Sequence, residues 1–151
     1  MEDMDCRGTH WINQTGIDFE KNLDDYLGFI YCITQKSTGR RYIGRKQIWY
    51  KRGKNYYEGD WRTYRSSSNV VRRIISESGD HDWTYEIIGV FKTKSTMRYG
   101  ETGSIVLSGS YEKPDRGFNG RIDACKGKIK WEDGDWQQWQ RIRQYFRATG
   151  A

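Results

Sequence analysis

Residues 28–52 read GFIYCITQKSTGRRYIGRKQIWYKR. Ile30-Tyr31-Cys32-Ile33-Thr34 has the β-branched and aromatic content of a strand. Lys36-Ser37-Thr38-Gly39 is a turn, with Gly39 available for a positive φ. Arg41-Tyr42-Ile43-Gly44 returns as the partner strand. A hairpin centred between Ser37 and Thr38 sets Ile33 opposite Tyr42. Tyr31 and Tyr42 then project from one face as diagonal neighbours, about 7–8 Å apart. A one-residue slip would separate them onto opposite faces. Two phenols beside Arg45, Lys46, Lys51 and Arg52 make a surface suited to handling phosphate.

These residues resemble the core of the GIY-YIG nucleases. Tyr42-Ile43-Gly44 matches the second half of that motif. Phe29-Ile30-Tyr31 matches the first half with Phe in place of Gly, and Gly28 precedes it. The resemblance extends to an Arg ten residues after the second Tyr, Arg52, and to a His or Tyr four residues further on, Tyr56. A helical Glu and a late Asn complete the family site, and Glu101 and Asn119 match them. The resemblance covers residues 27–125 and implies an α+β fold with a three-stranded, mainly antiparallel sheet flanked by helices. The stretch from Trp61 to Ser68 is most similar to small phage-encoded members.

Composition agrees with an anionic partner. The chain has 151 residues, a net charge of +6 and 30% charged residues. That balance favours an anionic partner, with nucleic acid the leading candidate. Seven Trp and eleven Tyr supply buried area that the modest 35% hydrophobic content would otherwise lack. Cys6, Cys32 and Cys125 are far apart and show no zinc-ligand spacing. They suit a reducing compartment, and the expected location is the cytoplasm of a bacterial or phage-infected cell. No apolar run reaches the ~18 residues of a membrane span, and residues 1–10 contain no signal-peptide core.

Along the chain, residues 1–26 are expected to form an N-terminal arm, with a short helix near Asp18–Tyr26. Residues 27–125 form the nuclease-like domain, and 126–151 an extension. From Lys36 to Lys54 there are eight basic residues and no acidic one. Tyr42, Trp49 and Tyr50 are interleaved with them, as on surfaces that hold phosphates and stack on bases. Candidate DNA contacts are Arg41, Arg45, Lys46, Lys51, Lys54, Arg62 and Arg65. Residues 53–68 either extend a helix bearing Arg52 or form a loop over the substrate groove.

Ser68 is placed to cap a helix whose apolar stripe is Val70, Val71, Ile74 and Ile75, with Gly79 ending it. Trp83–Phe91 is the third strand, with Trp83, Tyr85, Ile87 and Phe91 on one face and Ile88 and Val90 on the other. Ser95–Leu107 is a helix on which Met97, Glu101 and Ile105 share a stripe. Glu101 therefore points with apolar residues and needs a partner, either a core Arg, a Tyr hydroxyl or a metal. Tyr111–Asn119 is a loop with the single Pro114. Trp136, Trp139, Ile142, Tyr145 and Phe146 mark a C-terminal amphipathic helix for packing, dimerisation or DNA contact.

The resemblance implies phosphodiester hydrolysis by a tyrosine-assisted, one-metal mechanism. Tyr31 or Tyr42 takes the proton from water, with Tyr31 preferred. A phenol titrates near 10, so Arg45, Lys46 or Arg52 must lower it. Arg52 grips the scissile phosphate, Glu101 holds Mg²⁺ or Mn²⁺, and Tyr56 and Asn119 are the remaining residues that match the family site. One carboxylate suffices, because Mg²⁺ keeps water and substrate oxygens as its other ligands. The outcome expected is a DNA endonuclease, with a homodimer as one arrangement open to it. The alternative is a non-catalytic nucleic-acid-binding module on the same fold. There is no GxSxG, no Walker loop and no dinucleotide fingerprint.

Overall fold

The computed structural model describes residues 4–113, 115–122, 125 and 127–149. Pro114 lies outside them. Seven strands and three α-helices follow in order: β1 Met4–Asp5, β2 Trp11–Asn13, β3 Gly28–Gln35, β4 Arg41–Gln47, β5 Trp49–Arg52, β6 Asn55–Glu58, α1 Asn69–Ser78, β7 Trp83–Phe91, α2 Lys94–Ser108 and α3 Asp135–Ala148. Short 3₁₀ turns at Phe19–Asp25 and Asp80–Asp82 link them. The fold is α+β, as the sequence predicts.

The three expected strands lie side by side in a five-stranded sheet of order β1-β2-β7-β3-β4. β3 pairs antiparallel with both neighbours, and Ile33 stands opposite Tyr42, as the hairpin reading requires. Two additions come from the N-terminal residues. β2 pairs parallel to β7, and β1 pairs with β2. Trp11 is fully buried there, and its indole N–H donates to the Trp61 carbonyl at 2.8 Å. A three-residue strand whose partner lies some seventy positions away leaves almost no local signal.

The sheet is covered on both faces. Phe29, Tyr31, Ile33, Tyr85 and Ile87 face one layer, where α1 contributes Val71 and Ile75 and the loop before it Trp61. Ile30, Cys32, Ile43 and Ile88 face the other, against Met97 and Ile105 of α2 and Trp139, Ile142 and Phe146 of α3. Ser68 caps α1, its hydroxyl accepting from the Val71 amide at 3.2 Å. The C-terminal helix thus packs on the domain.

One expectation about β7 is corrected. Phe91 lies with Ile88 among the α2–α3 layer, and Val90, expected beside Ile88, lies instead with Trp83, Tyr85 and Ile87. The register against β3 jumps between Ile30↔Gly89 and Tyr31↔Ile87. The unpaired Ile88 is a β-bulge, and one extra residue reverses the facing of everything beyond it.

Candidate active site at the edge of the sheet

β4 is the edge strand, so its outward amides need partners other than a sixth strand. The segment after α2 supplies them. The Arg41 amide donates to the Arg116 carbonyl at 2.9 Å, and the Phe118 amide to the Arg41 carbonyl at 2.7 Å. Two residues along, the Asn119 side chain takes over. Its Oδ1 accepts from the Ile43 amide at 2.9 Å and its Nδ2 donates to the Ile43 carbonyl at 2.8 Å. Ser110 Oγ donates to the same Oδ1 at 2.6 Å. Asn119 therefore imitates a strand residue and ends the pairing of the edge.

Beyond this cap the chain leaves a cavity of about 210 Å³ lined by Tyr42, Ile43, Arg45, Ser67, Glu101, Ile105, Asn119, Gly120 and Arg121. Alternation along β4 would send Tyr42 to one face and Arg45 to the other. Both reach the cavity because it wraps round the edge. Glu101 enters from α2, between buried Met97 and Ile105, as its stripe requires. Arg45 Nη1 donates to Glu101 Oε1 at 2.6 Å, and their side chains are 32% and 14% exposed. Of the partners anticipated for Glu101, an arginine is present.

The two tyrosines differ. Tyr42 is partly exposed, and its hydroxyl is 3.0 Å from Ser67 Oγ. Burial pushes the Tyr42 phenol above its ordinary value of 10.0, against the Ser67 hydrogen bond, which favours the phenolate. Nearby Tyr64 and Glu101 add to the rise, and Arg121 opposes it. Tyr31 is fully buried, with its ring 6.2 Å from Tyr42, 5.9 Å from Tyr64 and 5.5 Å from Trp11. Its hydroxyl faces Tyr64 and Ser67 but makes no hydrogen bond of acceptable geometry among the described residues. Burial, then Tyr64 and Tyr42, drives its pKa well above the ordinary value. The cations expected to lower a tyrosine pKa here do not prevail.

Gly44 is what admits Tyr31. The two residues are paired across the hairpin, and the Tyr31 ring lies over the glycine. A Cβ on Gly44 would stand 2.3 Å from Tyr31 Oη and 2.4 Å from Cζ. The first Tyr and the last Gly of the two half-motifs are thus one packing unit.

Several expected residues stand elsewhere. Arg52 and Tyr56 lie on the β5–β6 hairpin, both exposed, and do not line the cavity. Tyr56 borders a separate groove with Asp24, Asp25, Trp49 and Lys92. No helix carries Arg52, because Gly53, at φ +62°, turns the chain back on itself. Among the DNA-contact candidates, Lys46 pairs with Asp60 at 2.7 Å, Arg62 with Glu20 and Glu58, and Arg65 with Asp80. Hydrogen bonds from Lys46 to Asp60 and Tyr50 outweigh its burial and hold its pKa above the ordinary value. Arg41 donates to the Thr149 carbonyl at 3.2 Å. Lys51 and Lys54 are exposed and make no ion pair among the described residues. Arg121 and Ser67 were not anticipated. The signals available were Arg121's place two residues after Asn119 and the serine run ending at Ser68.

A tyrosine-bearing hairpin at a sheet edge, faced by a helical glutamate and closed by an asparagine, defines a GIY-YIG domain. The family model described as "Putative endonuclease segE, GIY-YIG domain" matches residues 11–122, and the chain belongs to that family. The matched span starts at β2, which lies within it, whereas β1 precedes it. No curated protein and no solved structure matches the chain. A nuclease family implies a nucleic-acid substrate. Among the described residues no helix is long and apolar enough to cross a membrane.

Proposed function

We propose that this protein is a metal-dependent DNA endonuclease whose chemistry takes place in the cavity at the β4 edge. The observation that carries this reading is the meeting of Tyr42, Arg45, Glu101 and Arg121 around one small cavity. Arg45 and Arg121 provide guanidinium donors for the oxygens of a phosphodiester. Arg45 takes the role that the family resemblance implied for Arg52. Tyr42, with Ser67 on its hydroxyl, orients the attacking water and accepts its proton, in preference to the enclosed Tyr31.

The residues fit a single Mg²⁺ or Mn²⁺. No group of three His, Cys, Asp or Glu residues is placed to hold a metal among the described residues. Glu101 nevertheless stands in the cavity as one carboxylate, and Mg²⁺ is commonly bound through one or two carboxylates plus substrate oxygens and water. A bound cation would neutralise charge on the leaving 3′ oxygen. Arg45 must then exchange its Glu101 contact for the phosphate, so substrate binding and opening of that pair are linked.

One observation favours the non-catalytic alternative: Glu101 is already neutralised by Arg45. Glu101→Gln separates the two readings. Full-length wild-type and variant protein are compared for Mg²⁺-dependent plasmid cleavage, DNA affinity and melting temperature. A nuclease loses cleavage in the variant while DNA affinity holds or rises. A wild-type rate in a folded Glu101→Gln protein refutes the assignment, and no cutting by wild type under any divalent metal refutes the nuclease.

A further inference from the structure

Among the described residues the β5–β6 hairpin pairs with no other strand and forms a two-stranded sheet of its own. Its base is fixed. Ile48 is fully buried, the Trp49 indole donates to the Leu23 carbonyl at 3.0 Å, and the Gly59 amide donates to the Ile48 carbonyl at 2.7 Å. Beyond that base every residue from Lys51 to Glu58 is exposed. Lys51, Arg52 and Lys54 make no ion pair among the described residues. The register sets Arg52 opposite Asn55, on one face with the stacked rings of Tyr50 and Tyr57. Gly53 and Lys54 form the two-residue turn, and the positive φ of Gly53 places it at the first central position, where such turns favour glycine.

We infer that this hairpin is the sequence-reading element of the protein, entering the major groove of duplex DNA with Arg52 and Asn55 at the base edges. The inference rests on DNA being the substrate of the cavity described above. A strand of four residues extends about 14 Å at about 3.4 Å per residue. That exceeds the ≈8.5 Å depth of the major groove, whose ≈12 Å width admits a two-stranded ribbon. The tip carries the chemistry such a probe needs. Arg pairs bidentately with guanine O6 and N7, and Asn with adenine N6 and N7. Lys51 and Lys54 flank them for the phosphates. A-form RNA has a major groove too narrow for this insertion. The charge argues against an acid-poor protein surface as partner.

Reading and cutting are mechanically joined. β4, which carries Tyr42 and Arg45, runs into β5 with only Ile48 between them. Arg45 and Arg52 are seven positions apart, so their backbones are separated by at most about 25 Å. With both side chains extended, the cut falls within about one duplex turn, roughly 34–36 Å, of the base pairs read.

The test selects bound duplexes from a randomised library with full-length protein in the presence of a chelator. Wild type enriches a motif, and N7-methylation of its guanines blocks binding. Arg52→Gln relaxes one position of the motif and Asn55→Ala a neighbouring one, each by about 5- to 150-fold in discrimination. Lys54→Ala lowers affinity for all sequences and leaves the motif intact. Circular dichroism checks that each variant is folded. Absence of a motif, an unchanged motif in both tip variants, or equal preference for RNA or single strands overturns the inference. Mg²⁺-dependent cleavage is assayed beside it. A motif without cleavage sinks only the nuclease reading, whereas cleavage with an unaltered motif in the variants sinks only the hairpin's role.

Discussion

Gly44→Ala is the substitution whose effect follows most directly from the geometry. The added Cβ lies 2.3 Å from Tyr31 Oη, 2.4 Å from Cζ and 2.9 Å from Cε2. Ordinary carbon contacts are 3.5–4.0 Å, so the ring must retreat by roughly 1 Å or more. It has nowhere to go. Tyr31 is fully buried, with Trp11, Phe29, Tyr42 and Tyr64 around it. Overpacking of this kind costs about 1–3 kcal/mol. Replacing a strand glycine by alanine returns roughly 0.5–1 kcal/mol of backbone entropy. The net loss is about 1–2 kcal/mol, a fall of roughly 2–8 °C in melting temperature for a chain of this length. The assay is thermal and urea unfolding followed by near-ultraviolet dichroism, which reports the clustered rings. The decisive comparison repeats Gly44→Ala in a Tyr31→Leu background, where Oη and Cζ no longer exist. There the alanine is neutral or stabilising, and the double-mutant cycle shows coupling of about 1–3 kcal/mol. An equal cost in both backgrounds, or a wild-type melting point for Gly44→Ala alone, would refute the packing argument.

Tyr42→Phe lowers single-turnover cleavage by about 10²–10⁴, the usual range for loss of a general base. Tyr31→Phe removes a buried hydroxyl that makes no hydrogen bond among the described residues, so it leaves stability unchanged or higher and cleavage near wild type. A larger cleavage defect in Tyr31→Phe would return the base to Tyr31. If the Tyr42 phenolate accepts the proton, the raised pKa has a definite consequence in pH. The reactive fraction rises about tenfold per unit, with no plateau below about pH 10. A pH-independent rate from 7 to 9 with chemistry limiting would exclude the phenolate. Asn119→Ala strips both hydrogen bonds from Ile43 and should cost about 1–3 kcal/mol, read as a lower urea midpoint at unchanged slope.

The hairpin of β3 and β4, the register of Ile33 on Tyr42, and the helices over Asn69–Ser78 and Lys94–Ser108 were legible because each depends on residues close in sequence. A period of two or 3.6 needs no tertiary information. The facing of Glu101 followed the same way, from Met97 and Ile105 one helical turn to either side. Local pattern failed where a single residue changes the count. Ile88 bulges out and carries Phe91 to the opposite face. Gly53 turns the chain after Arg52, so an arginine at the family spacing stands on an exposed hairpin. The turn was nevertheless signalled by Gly53-Lys54 between WYKR and NYYE.

Other features belong to tertiary structure alone. Alternation separates Tyr42 from Arg45, and only the open edge of β4 lets both line one cavity. Which cation meets Glu101 was decided by helix packing that brings α2 against Arg45, fifty-six positions away. The burial of Trp11 beneath Trp61 likewise required two distant segments to meet. The sequence by itself determined the residue types available for phosphate chemistry and their order along the chain. Their partners depended on long-range contacts, because a charge or hydroxyl in a folded protein is satisfied by whatever the packing brings near it.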